Sequence, residues 1–110
     1  MSDDYTPQQV AELVAQGGVQ LIDVRMDEEH AAGHIPGDRL IQLPDLAAEA
    51  GTLDMERPVI VYCLSGGRSA MATAALEAAG FDAHNMSGGF RDWHGAGLAV
   101  EPADGFVLEH

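Results

Sequence analysis

The chain contains no lysine, and its five cationic residues, all arginines, face 18 acidic residues. The formal net charge is −13 at pH 7. Nucleic acids and anionic membrane surfaces are bound through clustered lysine and arginine side chains, so we expect neither of them as a partner. The acidity is explained most simply as a solvated surface that keeps the protein in solution, and a basic docking partner is the alternative.

Cysteine is nearly absent as well, since Cys63 is the single one. One cysteine excludes an intramolecular disulfide, and it excludes a Cys-x-x-Cys metal or redox pair. Any chemistry at Cys63 therefore proceeds without a resolving thiol from the same chain.

Long apolar runs are missing too. No stretch approaches the roughly 18 apolar residues needed to cross a bilayer, and residues 1–4 are acidic where a signal peptide would be basic. We therefore expect a cytoplasmic protein. The 110 residues, 46% of them hydrophobic, suit one globular domain with its own core, and we expect a monomer.

The last three residues, Leu108-Glu109-His110, resemble a cloning-site scar followed by the start of a histidine tag. The predicted boundaries are accordingly one domain over residues 1–107 and an expression-tag remnant over residues 108–110.

Helical and strand patterns alternate along the chain. Thr6-Pro7-Gln8-Gln9 is typical of a capping box with proline in the first helical position, and predicts a helix over 7–16. Apolar, β-branched runs predict strands over 19–24 and 58–63, while the alanine-rich segment before Gly80 predicts a helix over 69–79. Shorter predicted elements are a helical turn over 27–32, a turn over 34–37, a weak strand around 39–42, a helix over 45–50, a strand over 83–86 and a helix over 88–93. This alternation predicts an α/β fold with a mainly parallel sheet.

The segment from Cys63 to Ser69 joins a predicted strand to a predicted helix. Ligands of open parallel sheets bind beyond the carboxyl ends of strands, so chemistry is expected here. Gly66 and Gly67 allow successive N–H groups to turn inward as an anion-binding nest at the positive end of the helix dipole. A thiol at a helix start has a lowered pKa, and Arg68 is expected to lower it further. Cys63 is therefore the predicted nucleophile. Because a cation is unfavourable near that dipole end, we also expect an anionic neighbour for Arg68.

Four segments resemble the motifs of one family, in the same order. Leu21-Ile22-Asp23-Val24-Arg25 resembles an Asp-Val-Arg motif, and residues 29–37 resemble Glu-x-x-x-Gly-His-Ile-Pro-Gly. Residues 61–69 resemble Tyr-Cys-x-x-Gly-x-Arg-Ser, and residues 87–93 resemble a Gly-Gly-x-x-x-Trp segment. Together they resemble a rhodanese homology domain, from residue 6 to about residue 100.

The resemblance implies a doubly wound α/β fold, with a mainly parallel central sheet flanked by helices on both faces. It also implies a two-step sulfur transfer, in which Cys63 takes sulfur from a donor such as thiosulfate, holds it as a persulfide and passes it to cyanide or a thiol. No metal or organic cofactor is implied. The persulfide would be held by loop residues that match the family motif, with Arg68 and Ser69 also supporting the loop: Leu64, Ser65, Gly66, Gly67, Arg68 and Ser69.

The chain departs from the family pattern at two positions. Asp38 stands where a small residue, usually alanine, follows Pro-Gly, and Leu40 stands where a polar residue such as asparagine is common. Both lie outside the segment from Cys63 to Ser69, called the cysteine loop below. We therefore expect them to affect the neighbouring surface and the choice of partner rather than the fold.

The number of residues between Cys63 and Arg68 bears on whether the loop could bind phosphate. Dual-specificity phosphatases and arsenate reductases of the same fold have five residues between cysteine and arginine, whereas Cys63 and Arg68 have four between them. A smaller ring of amides should suit a single sulfur atom better than a tetrahedral phosphate.

Other polar residues have more ordinary interpretations. His30 and His34 have the i, i+4 spacing of a helical metal site. Gly33 lies between them and no third ligand is nearby in sequence, so we expect no metal and a structural role for His34. Asp23 and Arg25 are expected to make buried hydrogen bonds that support adjacent loops.

A second function remains open at this stage. The same residues suit a sulfur carrier or interaction module that depends on a partner protein and turns over little free thiosulfate, because one cationic side chain offers modest recognition of a doubly charged donor. A regulatory domain without activity would normally lack the cysteine. The expected partners are a small-molecule sulfur donor and a thiol or cyanide acceptor, or a protein that exchanges sulfur.

Overall fold

Four parallel strands form the central sheet of the computed structural model, which describes residues 4–109. They lie in the order β2-β1-β3-β4, and every neighbouring pair is parallel. Parallel neighbours need crossover connections, which the helices supply. The strands are β1 (Gln20–Asp23), β2 (Arg39–Leu40), β3 (Val59–Tyr62) and β4 (Ala83–Asn85).

Five helices accompany the sheet. The first begins at the predicted capping box, where Thr6 Oγ1 accepts from the Gln9 N–H at 3.2 Å and Gln9 Oε1 accepts from the Thr6 N–H at 2.9 Å. The helices are α1 (Pro7–Gln16), α2 (Asp27–Ala32), α3 (Leu46–Glu49), α4 (Gly67–Ala78) and α5 (Gly89–Gly95). No helix within residues 4–109 is long and apolar enough to cross a membrane.

Side chains of β1 and β3 alternate between two apolar layers, one on each face of the sheet. Ile22 and Val61 point into the layer covered by α3 and α4. Leu21 and Ile60 point into the layer covered by α1 and α5. All four residues of β3 are buried, as expected for a central strand covered on both faces. This arrangement confirms the predicted doubly wound α/β fold.

The predicted elements are present, with some different boundaries. The strand predicted around 39–42 is limited to Arg39–Leu40, and the helix predicted over 45–50 is a short α3 between two 3-10 turns, Leu43–Asp45 and Ala50–Thr52. Residues 1–3, part of the acidic start, and His110 of the predicted tag remnant lie outside the described residues.

The start of α4 is the difference that bears on the site. The sequence predicts a helix start at Ser69, but the helix begins at Gly67. Gly66 adopts the left-handed conformation, with φ +114°, and forms its N-cap. Arg68 therefore lies in the first turn of α4, and the loop after β3 is shorter than predicted. The first-turn N–H groups have no partners within the helix and are available to an anion.

Candidate active site

Cys63 lies directly after β3, at the carboxyl edge of the sheet, and is 1% exposed. The N–H of Gly66 donates to its Sγ atom at 3.1 Å. The hydroxyl of Ser69 lies 3.3 Å from the same sulfur. The short loop and the first turn of α4 thus surround the sulfur with donors.

These donors determine the acidity of the thiol. Burial raises the pKa of Cys63, but hydrogen bonds from the side chain and backbone of Ser69 and from the backbone of Gly66 and Ser65 outweigh it. The net effect is a lowered pKa. The site therefore favours the thiolate, which is the nucleophilic form of cysteine.

Asn85, at the end of β4, is a site residue that the sequence interpretation missed. It is 6% exposed, its Oδ1 lies 2.5 Å from Ser69 Oγ, and its Nδ2 donates to the Gly66 carbonyl at 3.3 Å. A hydroxyl has one proton, so Ser69 donates to Asn85, to Cys63 or to the Gly66 carbonyl at a given moment. A negative charge on the sulfur would draw that proton away from Asn85. A polar residue at the carboxyl end of a buried strand was the available signal.

The start of α5 holds the cysteine loop from the other side. The N–H groups of Phe90 and Arg91 donate to the carbonyls of Cys63 and Leu64, at 2.8 and 3.0 Å. Gly89 has φ +61°, and a Cβ placed on it would lie 2.5 Å from the Leu64 carbonyl oxygen. Only glycine permits this close approach, so the Gly-Gly motif of the last segment positions the loop.

Arg68 faces a carboxylate of the chain itself. Its two terminal nitrogens donate to the two oxygens of Glu29, each at 2.8 Å. Glu29 is fully buried and also accepts from the Met26 N–H at 3.1 Å. Burial raises the pKa of Glu29, but Arg68 and the Met26 N–H lower it further than burial raises it.

This pair specifies the role of Arg68. An anionic neighbour was expected, and Glu29, to which the sequence interpretation gave no role, supplies it. The guanidinium is bound to Glu29, whereas the hydrogen bonds that lower the pKa of Cys63 come from the loop and Ser69. The pair joins α2 to the first turn of α4 and so supports the loop.

Asp23 and Arg25 form an ion pair with no exposed side-chain surface. Arg25 Nη2 donates to Asp23 Oδ2 at 2.8 Å and to the Gly33 carbonyl at 2.7 Å. The guanidinium carbon also lies 4.5 Å from the centre of the Phe90 ring. The pair therefore connects the end of β1 with the segment after α2 and with α5.

His30, His34 and Asp38 form a cluster beside this ion pair. His30 Nδ1 lies 2.9 Å from Asp23 Oδ2, and the rings of His30 and His34 stack with centres 3.9 Å apart. The Tyr62 hydroxyl donates to Asp38 Oδ2 at 2.6 Å. The hydrogen bond to Asp23 raises the pKa of His30.

The structure contradicts two premises of the sequence interpretation in this region, the surface position of Asp38 and the lack of a third ligand near the histidines. Asp38 is not a surface substitution, because its side chain is 3% exposed and hydrogen-bonded to a core tyrosine. A third side chain that could hold a metal ion, that of Asp38, accompanies the two histidines, while the expectation of no metal stays a prediction. His30, His34 and Asp38 can each offer one ligand atom, and these atoms lie within 4.8 Å of one another. The sequence interpretation treated Asp38 only as a departure from a family pattern.

Comparisons with known sequences agree on one family. The model of the rhodanese-like domain matches residues 6–96. Thiosulfate sulfurtransferase GlpE of Pseudomonas aeruginosa is 35% identical over 108 residues, which cover 94% of each chain. GlpE of Pseudomonas putida is 35% identical over 100 residues, which cover 90% of each.

Solved structures show the same fold. A rhodanese-like domain protein from Staphylococcus aureus has a TM-score of 0.78 at 33% identity, covering 84% of this chain and 91% of that one. A thiosulfate sulfurtransferase from Pseudomonas aeruginosa has a TM-score of 0.83 at 24% identity, covering 94% of this chain and 20% of that one. The second likeness supports the fold alone.

Proposed function

This chain belongs to the rhodanese-like domain family, and from that membership we propose that it is a thiosulfate sulfurtransferase whose Cys63 thiolate carries the transferred sulfur. It is an enzyme of the transferase class. The observation that carries the proposal is the position of the single thiol, buried at the end of β3 with the Gly66 N–H 3.1 Å from its sulfur. Donors gathered on one sulfur atom suit both a thiolate and a persulfide anion.

In the first step the Cys63 thiolate attacks the outer sulfur of thiosulfate. A new S–S bond forms at Sγ, the S–S bond of thiosulfate breaks, and sulfite leaves with the electron pair. No proton moves, and the enzyme keeps one negative charge on the terminal sulfur of the persulfide. The first-turn N–H groups of α4 and the loop amides from Leu64 to Arg68 would stabilise that charge.

In the second step an acceptor attacks the terminal sulfur. Cyanide forms a C–S bond as the persulfide S–S bond breaks, so thiocyanate leaves and the thiolate is regenerated. A thiolate acceptor reacts in the same way and leaves as a persulfide. Ser69, positioned by Asn85 at 2.5 Å, can donate to Sγ as negative charge returns to it.

We also propose a cellular compartment, an oligomeric state and substrates for the enzyme. A lone thiolate that has to stay reduced suits a reducing compartment, so we place the protein in the cytoplasm. It would act as a monomer, with a small-molecule donor and a thiol or cyanide acceptor.

The domain would cover residues 1–107 and the tag remnant residues 108–110. The contact of Glu109 with Arg91, at 2.6 Å, joins two exposed side chains and contributes little stability.

The test measures thiosulfate-to-cyanide transfer for the wild type and for Cys63→Ser. We expect turnover by the wild type, none by the variant, and one added sulfur atom on the wild-type chain by mass spectrometry after exposure to thiosulfate. Circular dichroism of the variant is the control for folding. A wild type that neither turns over nor gains sulfur from any donor would contradict the proposal.

A second candidate, the partner-dependent sulfur carrier, is favoured by one observation. The terminal nitrogens of Arg68, the cation in the first turn of α4, are each bound to Glu29, so a carboxylate of the chain already compensates this charge. The same experiment separates the two functions. Persulfide on Cys63 with negligible cyanide turnover would favour the carrier.

A further inference from the structure

We propose that His30, His34 and Asp38 bind a divalent transition-metal ion, with Zn²⁺ the best match. The three residues follow one another at intervals of four along α2 and the turn after it. Each offers one ligand atom, and the three atoms lie within 4.8 Å of one another. Imidazole nitrogen and carboxylate oxygen are both ordinary zinc ligands.

Each of the three side chains already has the kind of hydrogen bond that orients a metal ligand. His30 Nδ1 faces Asp23 Oδ2 at 2.9 Å, and His34 Nδ1 faces the His30 carbonyl at 3.0 Å. With the Nδ1 proton donated to these acceptors, the Nε2 atom of each ring has the free lone pair. Metal-binding histidines in proteins almost always have such a carboxylate or carbonyl partner on the other nitrogen.

Asp38 is supported in the same way, because the Tyr62 hydroxyl donates to its Oδ2 at 2.6 Å. Tyr62 in turn accepts from the Ile35 N–H at 3.1 Å, which ties the turn to the end of β3. One carboxylate oxygen of Asp38 is thus held, while the other is not committed to Tyr62. The site therefore lies on a rigid base.

The charge of the region also favours a cation. Asp23 has Arg25 at 2.8 Å, but within residues 4–109 the ion pair of Asp38 is with His30 alone, at 3.5 Å. The Asp38 side chain is 3% exposed, and a buried carboxylate without full compensation is costly. A divalent ion would supply that compensation.

Glu101 offers a fourth ligand. Its backbone pairs with that of His34 through two hydrogen bonds of 2.9 Å, and its Oε1 lies 3.7 Å from His34 Nε2. The side chain of Glu101 is 59% exposed and free to turn. Two imidazoles and two carboxylates would complete a tetrahedral set.

Binding requires one local movement. The His30 and His34 rings are stacked with 12° between their planes, so their lone pairs lie in two nearly parallel planes. Zinc bonds of about 2.0–2.2 Å need the ligand atoms to approach by on the order of 1 Å and one ring to leave the stack. His34, whose side chain is 22% exposed, is the ring with room to turn.

The experiment is a calorimetric titration of ZnCl₂ into the 110-residue chain carrying Cys63→Ser, because a cysteine thiolate is itself a zinc ligand. In that background the variants are Asp38→Ala, His34→Gln and, as a matched control on an exposed helical histidine, His94→Ala. Asp38→Ala places the usual family residue at this position and leaves the Ile35–Tyr62 hydrogen bond intact, so it should fold even if His34→Gln does not. X-ray absorption at the zinc edge identifies the ligand atoms.

We expect one Zn²⁺ per chain, binding weakened at least about tenfold by Asp38→Ala and by His34→Gln, and no change with His94→Ala. The absorption spectrum should show imidazole and oxygen ligands. Absence of binding by the Cys63→Ser chain, or equal affinity in that chain and its Asp38→Ala form, would overturn the proposal. Neither outcome depends on sulfur transfer.

Discussion

Two regions at the carboxyl edge of the sheet present groups that suit ligands of opposite charge. At the end of β3 the chain gathers donors around Cys63, namely the Ser69 hydroxyl and backbone N–H groups of the loop and of the start of α4. Beyond the end of β1 it gathers the ring nitrogens of His30 and His34 and the carboxylate of Asp38. The first region suits an anion and the second a cation.

The same sheet edge supports both regions because their charged and polar groups differ in kind. Backbone donors at a helix start are set by the fold and need only glycines and a suitable neighbour, here α5. Side-chain acceptors depend on individual residues, so a single substitution can remove them. The anion site should therefore be most sensitive to changes in backbone geometry, and the cation site to changes in side chains.

Gly89→Ala tests the backbone geometry most severely. The added methyl would meet the Leu64 carbonyl at 2.5 Å, on a backbone with φ +61°, so the cysteine loop must shift. Misplacing a reacting group by about 1 Å can cost on the order of 100-fold in rate. We expect a loss of that size in thiosulfate-to-cyanide transfer.

The matched control for this prediction is Gly95→Ala, because a Cβ at Gly95, also in α5, meets nothing within 4 Å. Its transfer rate should stay near that of the wild type. Equal rates for the two glycine variants would show that the α5 contact does not position the loop.

Ser69→Ala should have a smaller effect, since it removes one donor and leaves the backbone donors in place. Although burial raises the pKa of Cys63, hydrogen bonds involving Ser69 help to lower it, so the variant should have a higher thiol pKa. The pH midpoint of iodoacetamide alkylation should move upward, and transfer at pH 7 should fall on the order of tenfold.

The direction of the Cys63 pKa shift can also be tested through the pH dependence of protein stability. A Cys63 pKa lowered by folding adds stability above the unfolded pKa, and that contribution is lost as the pH falls through the folded pKa. Urea unfolding at pH 7 and pH 9 should show a smaller gain with pH in Ser69→Ala than in the wild type. An unchanged alkylation midpoint would remove Ser69 from the group of donors.

Glu29→Gln should change transfer least, because within residues 4–109 the hydrogen bonds between Glu29 and the start of α4 run through Arg68. Arg68 is 32% exposed, so water can solvate the unpaired cation, and we expect a loss of about 1–2 kcal/mol in the free energy of unfolding at pH 7. The affinity for thiosulfate should improve by about two- to fivefold, since a carboxylate is removed near a dianion.

The pH dependence checks this assignment. The pKa of Glu29 is lowered on folding despite the opposing effect of burial, so its contribution is present above the unfolded pKa and disappears as the pH falls through the folded pKa. The stability difference between wild type and Glu29→Gln should therefore shrink between pH 5 and pH 3. A difference that stays constant with pH would contradict a structural role for the ionised pair.

The sequence predicted the parts of the molecule that depend on local pattern. The capping box fixed the start of α1, the β-branched run fixed β3, and the glycines after Cys63 indicated a donor-rich loop. The start of α4 was placed two residues late because the left-handed conformation of Gly66 cannot be distinguished from an ordinary loop glycine by composition.

The sequence could not predict contacts between side chains that are far apart along the chain. Glu29 and Arg68 are 39 residues apart, and Tyr62 and Asp38 are 24 apart. Pairing them requires the order of the strands and the depth of each side chain, neither of which a residue pattern contains. Asp38 shows the limit, because a turn aspartate is usually solvated, whereas here a core hydroxyl holds it.

The contact of α5 with the cysteine loop has a consequence for synthesis. Residues 63 and 64 leave the ribosome well before Gly89, Phe90 and Arg91, which bind their carbonyls. Until that last fifth of the chain is made, these two hydrogen bonds cannot hold the loop that carries the donors. We therefore expect the thiol of a nascent chain to reach its lowered pKa only after α5 has packed against the loop.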